Sequence, residues 1–195
     1  FLERCCKTFN INNVKVDLVQ TKHTGLMESV RECYEWLRDS NSDIVYQVQD
    51  DYMYDESAIF EMISMQFQLL GDTNTHAVIY PYNTPRHWLD IYRYAPVRRA
   101  VIPGLKRYWI QMYDVACTFM TTRLNLINNW KYIEKFLSLS PTNFELEAIS
   151  LNRMFVENGV LGIHPVESIA LHMQSEIEKD PYIDWETKWN KITPV

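Results

Sequence analysis

The sequence predicts an α/β domain in which a mostly parallel, mixed sheet is flanked by helices. Short β-branched and aromatic runs at Val14–Val19, Asp43–Val48 and Ala77–Tyr80 alternate with stretches of helical apolar spacing. The 195 residues are 47% hydrophobic and 23% charged, which supplies one good core but would stretch to two only with difficulty. No repeat, linker or low-complexity segment divides them, so 1–195 reads as a single domain.

Taken in order, Phe1 to Phe9 suits a short helix, and because the chain opens inside it, a missing opening strand is expected upstream. Val14 to Val19 alternates as a strand does. Thr24-Gly25 opens a helix with Leu26, Val30, Cys33 and Leu37 at helical spacing, closed by Ser40-Asn41-Ser42. The strand Asp43–Val48 runs into Gln49-Asp50-Asp51-Tyr52, and Asp55 is placed to cap a helix carrying Ile59, Met62 and Ile63 and ending at Gly71. After the strand Ala77–Tyr80, Pro81, Pro85, Pro96 and Pro103 break the alternation, and Val97–Ile102 and Tyr108–Thr122 read as antiparallel strands around Pro103-Gly104. Helices are expected over Leu124–Leu139 and Phe144–Asn158, the second stopped by Gly159. The short run Val160–Ile163 follows, and Trp185 and Trp189, four apart, mark a last helix.

Charge and cysteine usage exclude several classes. The formal net charge is -6 and no Lys/Arg run exceeds Arg98-Arg99, so little drives nonspecific adhesion to nucleic acid or anionic membrane. Cys5, Cys6, Cys33 and Cys117 lack C-x-x-C spacing, which argues against zinc and against a disulfide framework and points to a reducing compartment. No apolar stretch reaches the roughly 18 residues that span a bilayer, so a cytoplasmic protein is expected.

The carboxylates Asp50 and Asp51 stand in the turn after a strand, the crevice where open α/β sheets place ligands. Two adjacent carboxylates repel unless something positive lies beside them. Mg²⁺ or Mn²⁺ removes that repulsion and completes its shell with water and phosphates, so a metal-bound diphosphate fits this turn. An acidic turn that merely precedes a capped helix is the bland alternative.

Gln49-Asp50-Asp51-Tyr52, between a strand and a helix, resembles the acidic signature of the GT-A fold glycosyltransferases. In that family the last carboxylate binds the metal and the first residue contacts the ribose of the nucleotide sugar. The resemblance implies a single GT-A-like, Rossmann-like domain over almost the whole chain. It makes Asp51 the metal ligand, with Gln49, an amide where the family carries an acid, at the ribose and Asp50 beside both. His23-Thr24-Gly25, with Glu28, Ser29 and Arg31 following, stands where the family contacts the nucleotide, so His23, Gly25 and Arg31 join that set.

Glu145-Leu146-Glu147, followed by Arg153 and Gly159, resembles the helix that carries the base of inverting members. Glu147 falls at the border of the stripe Phe144, Ala148, Leu151 and Phe155 and is the preferred base, Glu145 the second choice. Asp114 is held in reserve. A late histidine often supplies the family's second metal ligand, and His172, after Ser168–Leu171, matches it in order.

The implied activity is transfer of a sugar from a nucleotide-diphosphate sugar to an acceptor hydroxyl, with Mn²⁺ or Mg²⁺ as cofactor. The alternatives are a non-catalytic carbohydrate-binding domain and a sugar-phosphate nucleotidylyltransferase. Aromatic faces at Tyr82, Trp88, Tyr92 and Arg107-Tyr108-Trp109 suit a glycan or small-molecule acceptor. A modified DNA base is the lesser acceptor and requires Arg86, Arg93, Arg98, Arg99 and Arg107 to converge.

Overall fold

The computed structural model describes residues 25–83, 99–115, 118–140, 142, 146–173, 180 and 182–192. In chain order the elements are α1 (Leu26–Asp39), β1 (Ile44–Gln47), β2 (Tyr52–Tyr54), α2 (Ala58–Thr73), β3 (Val78–Ile79), β4 (Val101–Pro103), β5 (Tyr108–Gln111) and β6 (Phe119–Thr122). Then come α3 (Arg123–Asn128), α4 (Trp130–Ser138), α5 (Arg153–Glu157), β7 (Gly162–Pro165), β8 (Ala170–His172) and α6 (Trp185–Ile192). The expected helix Phe1–Phe9 and strand Val14–Val19 lie outside the described residues, as do His23, Glu145, Arg86, Trp88, Tyr92, Arg93, Arg98, Cys5, Cys6 and Cys117.

Six strands form a mixed sheet in the order β1-β6-β3-β7-β5-β4, and β2 pairs with β8 in a separate ribbon. Among the described strands of the large sheet only β3 and β7 run parallel, the other four pairings being antiparallel. This corrects the expectation of a mostly parallel sheet. The reason is topological: β1 and β3 do point the same way, but β6 lies between them and runs against both. Pro103 ends β4 and Gly104 starts its connection to β5, an antiparallel pair as expected, whereas Tyr108–Thr122 holds two strands, β5 and β6, and not one.

Helices cover the sheet with faces that differ in detail from the sequence reading. In α1, Met27, Val30, Tyr34 and Leu37 pack on the core, whereas Leu26 and Cys33 are exposed. In α2 the inward face is Ala58, Met62, Met65 and Leu69, leaving Ile59 exposed. Both corrections are small rotations of the apolar arc, which is broader than a two-residue stripe. The α2 helix also runs past Gly71 to Thr73, where Asn74 closes it with left-handed dihedrals (φ 52°, ψ 35°).

Two predicted helices are interrupted by asparagine and serine side chains. Leu124–Leu139 divides at Asn129, whose amide donates to the Asn125 carbonyl at 2.9 Å and accepts from Asn158 Nδ2 at 3.0 Å. Of the described part of Phe144–Asn158, residues 146–158, only Arg153–Glu157 is α-helical, and 146–152 forms turns. There Ser150 Oγ donates to the Leu146 carbonyl and the Asn152 side chain reaches out to Val115, local and tertiary bonds that compete with a helical ladder. Gly159, at φ 62°, ends the segment as expected.

Candidate functional site

Alternation along Tyr52-Met53-Tyr54 sends Tyr52 and Tyr54 to one face of the ribbon and Met53 to the other. Its partner strand is registered Tyr52↔His172, Met53↔Leu171 and Tyr54↔Ala170. The acidic turn thus ends where His172 begins. His172 Nε2 and Asp51 Oδ2 are 3.0 Å apart although the residues stand 121 positions apart in the chain. The backbone fixes the same approach, because the Met173 N–H donates to the Asp51 carbonyl at 2.8 Å.

The structure therefore brings the two expected metal ligands into direct contact. The His172 side chain is 13% exposed and that of Asp51 31%, so the pair is part-buried. Among the described residues no group of three or more His, Cys, Asp or Glu side chains is gathered for a metal ion. A hard divalent ion needs only one or two protein donors when phosphates and water complete its shell. The 3.0 Å between His172 Nε2 and Asp51 Oδ2 is a direct hydrogen bond, which a bound ion would replace by drawing both atoms onto itself. The donor pair fits, and its imidazole nitrogen favours Mn²⁺ over the harder Mg²⁺.

Tyrosines surround the pair. Tyr52 stacks face to face on His172, with ring centroids 4.6 Å apart and planes 8° from parallel. Tyr82 meets the edge of Tyr52 at 5.4 Å and Tyr80 at 4.6 Å. Burial pushes the phenols of Tyr46, Tyr52 and Tyr80 well above their ordinary value, and that of Tyr54 up to about 12. These groups stay neutral at every physiological pH. The sequence reading assigned no role to Tyr52, although its alternation with Tyr54 just after the acidic turn was the available sign of a strand.

Of the remaining nucleotide-contact candidates, Gln49 and Asp50 adjoin Asp51 in the turn, whereas Gly25 and Arg31 lie on the first helix. Asp50 is exposed in the turn, and the Gln49 N–H donates to Thr118 Oγ1 at 3.3 Å, which ties the turn to the start of β6. Gly25 is the N-cap of α1, and Arg31 lies half-buried on the same helix, which packs on β1. The Glu28 carboxylate occupies the space a Cβ at Gly25 would take. An acid there already faces the helix N-terminus, so a phosphate at that end of α1 requires Glu28 to swing away.

Asn152 links the Asp114 side chain to the backbone of Glu147. Its Nδ2 donates to Asp114 Oδ1 at 2.7 Å, its Oδ1 accepts from the Val115 N–H at 2.9 Å, and its own N–H donates to the Glu147 carbonyl at 2.9 Å. Glu147 is half-buried in the 146–152 turns and not on a helix as expected. One hydrophobic cluster holds Tyr52, Tyr82, Val115, Leu146 and Ala170, neighbours in sequence or register of Asp51, His172, Asp114 and Glu147.

Several expected acceptor contacts prove structural. Tyr82 is 6% exposed and Trp109 1% exposed, both core residues. Arg107 is bound to Glu61, its Nε to Oε2 at 2.6 Å and its Nη2 to Oε1 at 2.9 Å, and cannot join an arginine patch without leaving a buried carboxylate. Arg99 is half-buried, and burial lowers its pKa. Tyr108 remains 62% exposed, beside an open groove of about 430 Å³ lined also by Leu105, Lys106, Val166 and Glu167. Among the described residues no helix is long and apolar enough to cross a membrane. No family model, curated protein or solved structure matches this chain.

Proposed function

We propose that this chain is a metal-dependent glycosyltransferase of GT-A type that moves a sugar from a nucleotide-diphosphate sugar to an acceptor hydroxyl. The observation that carries the reading is the 3.0 Å approach of Asp51 and His172, delivered by a turn at a strand exit and by a strand far along the chain.

Asp51 and His172 would hold Mn²⁺ or Mg²⁺. The ion supplies positive charge against the two phosphates, which stabilises the nucleoside diphosphate as it leaves. The chain's own residues do the rest. Gln49 and Asp50 border the nucleotide, and Gly25 and Arg31 lie on the helix packed against β1, which leads into the acidic turn. Glu147 accepts the acceptor's hydroxyl proton as the acceptor oxygen bonds to the anomeric carbon and the bond from that carbon to the diphosphate oxygen breaks. Asp114 is the alternative base, and Asn152 orients its carboxylate. The nucleoside diphosphate carries away the electron pair, so the products are the glycosylated acceptor, the diphosphate and a protonated carboxyl group.

Calorimetric titration of UDP and GDP with Mn²⁺ and then with EDTA, on wild type and Asp51→Ala, tests the donor site. Binding that requires both the metal and Asp51 is the expected result. Binding indifferent to both removes the metal-dependent transferase and leaves a sugar- or nucleotide-binding domain. Glu147→Gln then separates the roles, since loss of turnover with nucleotide affinity retained is expected of a base.

A further inference from the structure

A histidine that ligates a metal contributes only if its ring is held in the productive plane, because an imidazole free about χ2 presents its nitrogen over a wide arc. In this protein the ring of His172 is bounded by aromatic faces. Tyr52 is its cross-strand partner and lies parallel to it at 4.6 Å, with planes 8° apart. Tyr82 stands at 6.1 Å and 58° to the imidazole, forming a second side.

Those walls are themselves fixed. Tyr52 is buried, with Tyr82 against its edge at 5.4 Å and Tyr54 beside it at 6.1 Å. The backbone around Tyr82 is locked to the segment before β8: the Ile169 N–H donates to the Pro81 carbonyl at 3.1 Å. The Asn83 N–H donates to Ser168 Oγ at 2.7 Å, and that hydroxyl donates back to the Asn83 carbonyl at 2.7 Å. Turning the imidazole out of its plane therefore means displacing packed rings on a hydrogen-bonded frame.

We propose that Tyr52 is a positioning residue for His172, its ring face setting the imidazole plane so that Nε2 and Asp51 Oδ2 converge on one point. This rests on the reading of Asp51 and His172 as the metal-holding pair. The active feature is the flat face, not the hydroxyl. Tyr52→Phe keeps the face, whereas Tyr52→Leu keeps apolar bulk and abolishes the plane.

The test measures Mn²⁺ binding by the loss of the free-ion paramagnetic resonance signal, with saturating UDP and separately with saturating GDP. It compares wild type, Tyr52→Phe, Tyr52→Leu, Asp51→Ala and the α4 core variant Phe136→Ala, with melting temperatures recorded for all. Tyr52→Phe is expected to bind within about twofold of wild type and Tyr52→Leu about 10- to 100-fold more weakly, the range for losing a group that orients a ligand. The ring C–H resonances of His172 are expected upfield in wild type and Tyr52→Phe and relaxed in Tyr52→Leu. Phe136→Ala is expected to lower the melting temperature without changing Mn²⁺ affinity. Equal affinity in wild type and Tyr52→Leu, or equal weakening by Phe136→Ala, overturns the positioning role and leaves an Asp51-dependent metal site standing. Wild-type protein that takes up no Mn²⁺ with either nucleotide overturns the proposed function and this role with it.

Discussion

Arg107 closes on Glu61 with two parallel hydrogen bonds, Nε to Oε2 at 2.6 Å and Nη2 to Oε1 at 2.9 Å, in a setting where the Glu61 side chain is only 2% exposed. Ser57 Oγ adds a third bond at 2.5 Å and the second Arg107 arm reaches the Glu167 carbonyl at 3.2 Å. The pair fastens α2 to the β4–β5 hairpin and to the segment between β7 and β8. Removing one partner strands a buried charge, which costs about 3–5 kcal/mol, whereas replacing both with apolar groups of similar volume is close to neutral. Arg107→Met is thus expected to lower stability by that amount in urea unfolding. The double variant Glu61→Leu/Arg107→Met should recover most of it, and a double variant as unstable as the sum of the two singles would refute the account.

Acid should expose the same pair. Burial alone pushes the Glu61 carboxyl up, but the Arg107 and Ser57 hydrogen bonds outweigh it and leave it below its ordinary value. Asp55 is likewise held below the usual carboxylate range: burial opposes ionisation, and the bonds from Lys188 and Ser57 overcome it. A carboxylate with a depressed folded pKa contributes stability that is present above its unfolded pKa, about 4, and lost as pH falls through the folded value. Between about pH 5 and pH 3 the unfolded chain takes up protons that the folded chain does not, and stability declines. The urea midpoint should be level from pH 7 to about 5 and fall below that, with a shallower fall in Glu61→Gln. An acid limb that is unchanged in that variant would remove Glu61 from the account.

Gly162 opens β7 because nothing larger fits. A Cβ there would strike the Met112 carbonyl oxygen, which is backbone, and Phe155 Cε1 at 2.7 Å. The strand needs that approach, since the Met112 N–H donates to the Gly162 carbonyl at 2.9 Å. Gly162→Ala must push β7 off its neighbour, an overpacking that costs about 1–3 kcal/mol. Thermal unfolding of Gly162→Ala beside Gly71→Ala makes the comparison, as a Cβ at Gly71 meets nothing within 4 Å. Equal melting temperatures would show that the strand yields.

The strand-and-turn frame of the candidate site was readable because it rests on short, local signals. Asp43–Val48 was bounded to within a residue or two of β1, and the order of Asp51 and His172 along the chain matched the way the ribbon brings them together. What escaped depended on tertiary company. A three-residue strand such as Tyr52–Tyr54 has too few alternations to declare itself. The insertion of β6 between β1 and β3 is a long-range choice that no local window contains. Glu147 was read onto a helix because the side-chain bonds of Ser150 and Asn152 that replace it have their partners partly at Val115 and Asp114. Composition likewise cannot distinguish a buried aromatic from a platform, so it leaves Tyr82 and Trp109 open between core and acceptor face, and the structure puts both in the core and Arg107 on Glu61.

The back of the ribbon offers a last prediction. Met53 and Leu171, cross-strand partners on the face away from Tyr52, pack against Trp185 and Ile183, so α6 is docked behind the strands that carry the Asp51–His172 pair. Lys188 of the same helix bonds the Asp55 carboxylate and lies 5.8 Å over the Trp185 ring. That part-buried ion pair contributes less than the buried indole, which is the main hold on the helix. Trp185→Ala removes the largest side chain of a small cluster, a change that costs about 3–5 kcal/mol in a core, and should release α6 before the rest of the fold. Hydrogen exchange is expected to accelerate across α6 and β2–β8 while the β6 amides, central in the large sheet, keep their protection. Lys188→Met should leave all three nearly unchanged. Acceleration spread evenly over the chain would mean that α6 unfolds with the whole domain and does not act as a separate brace.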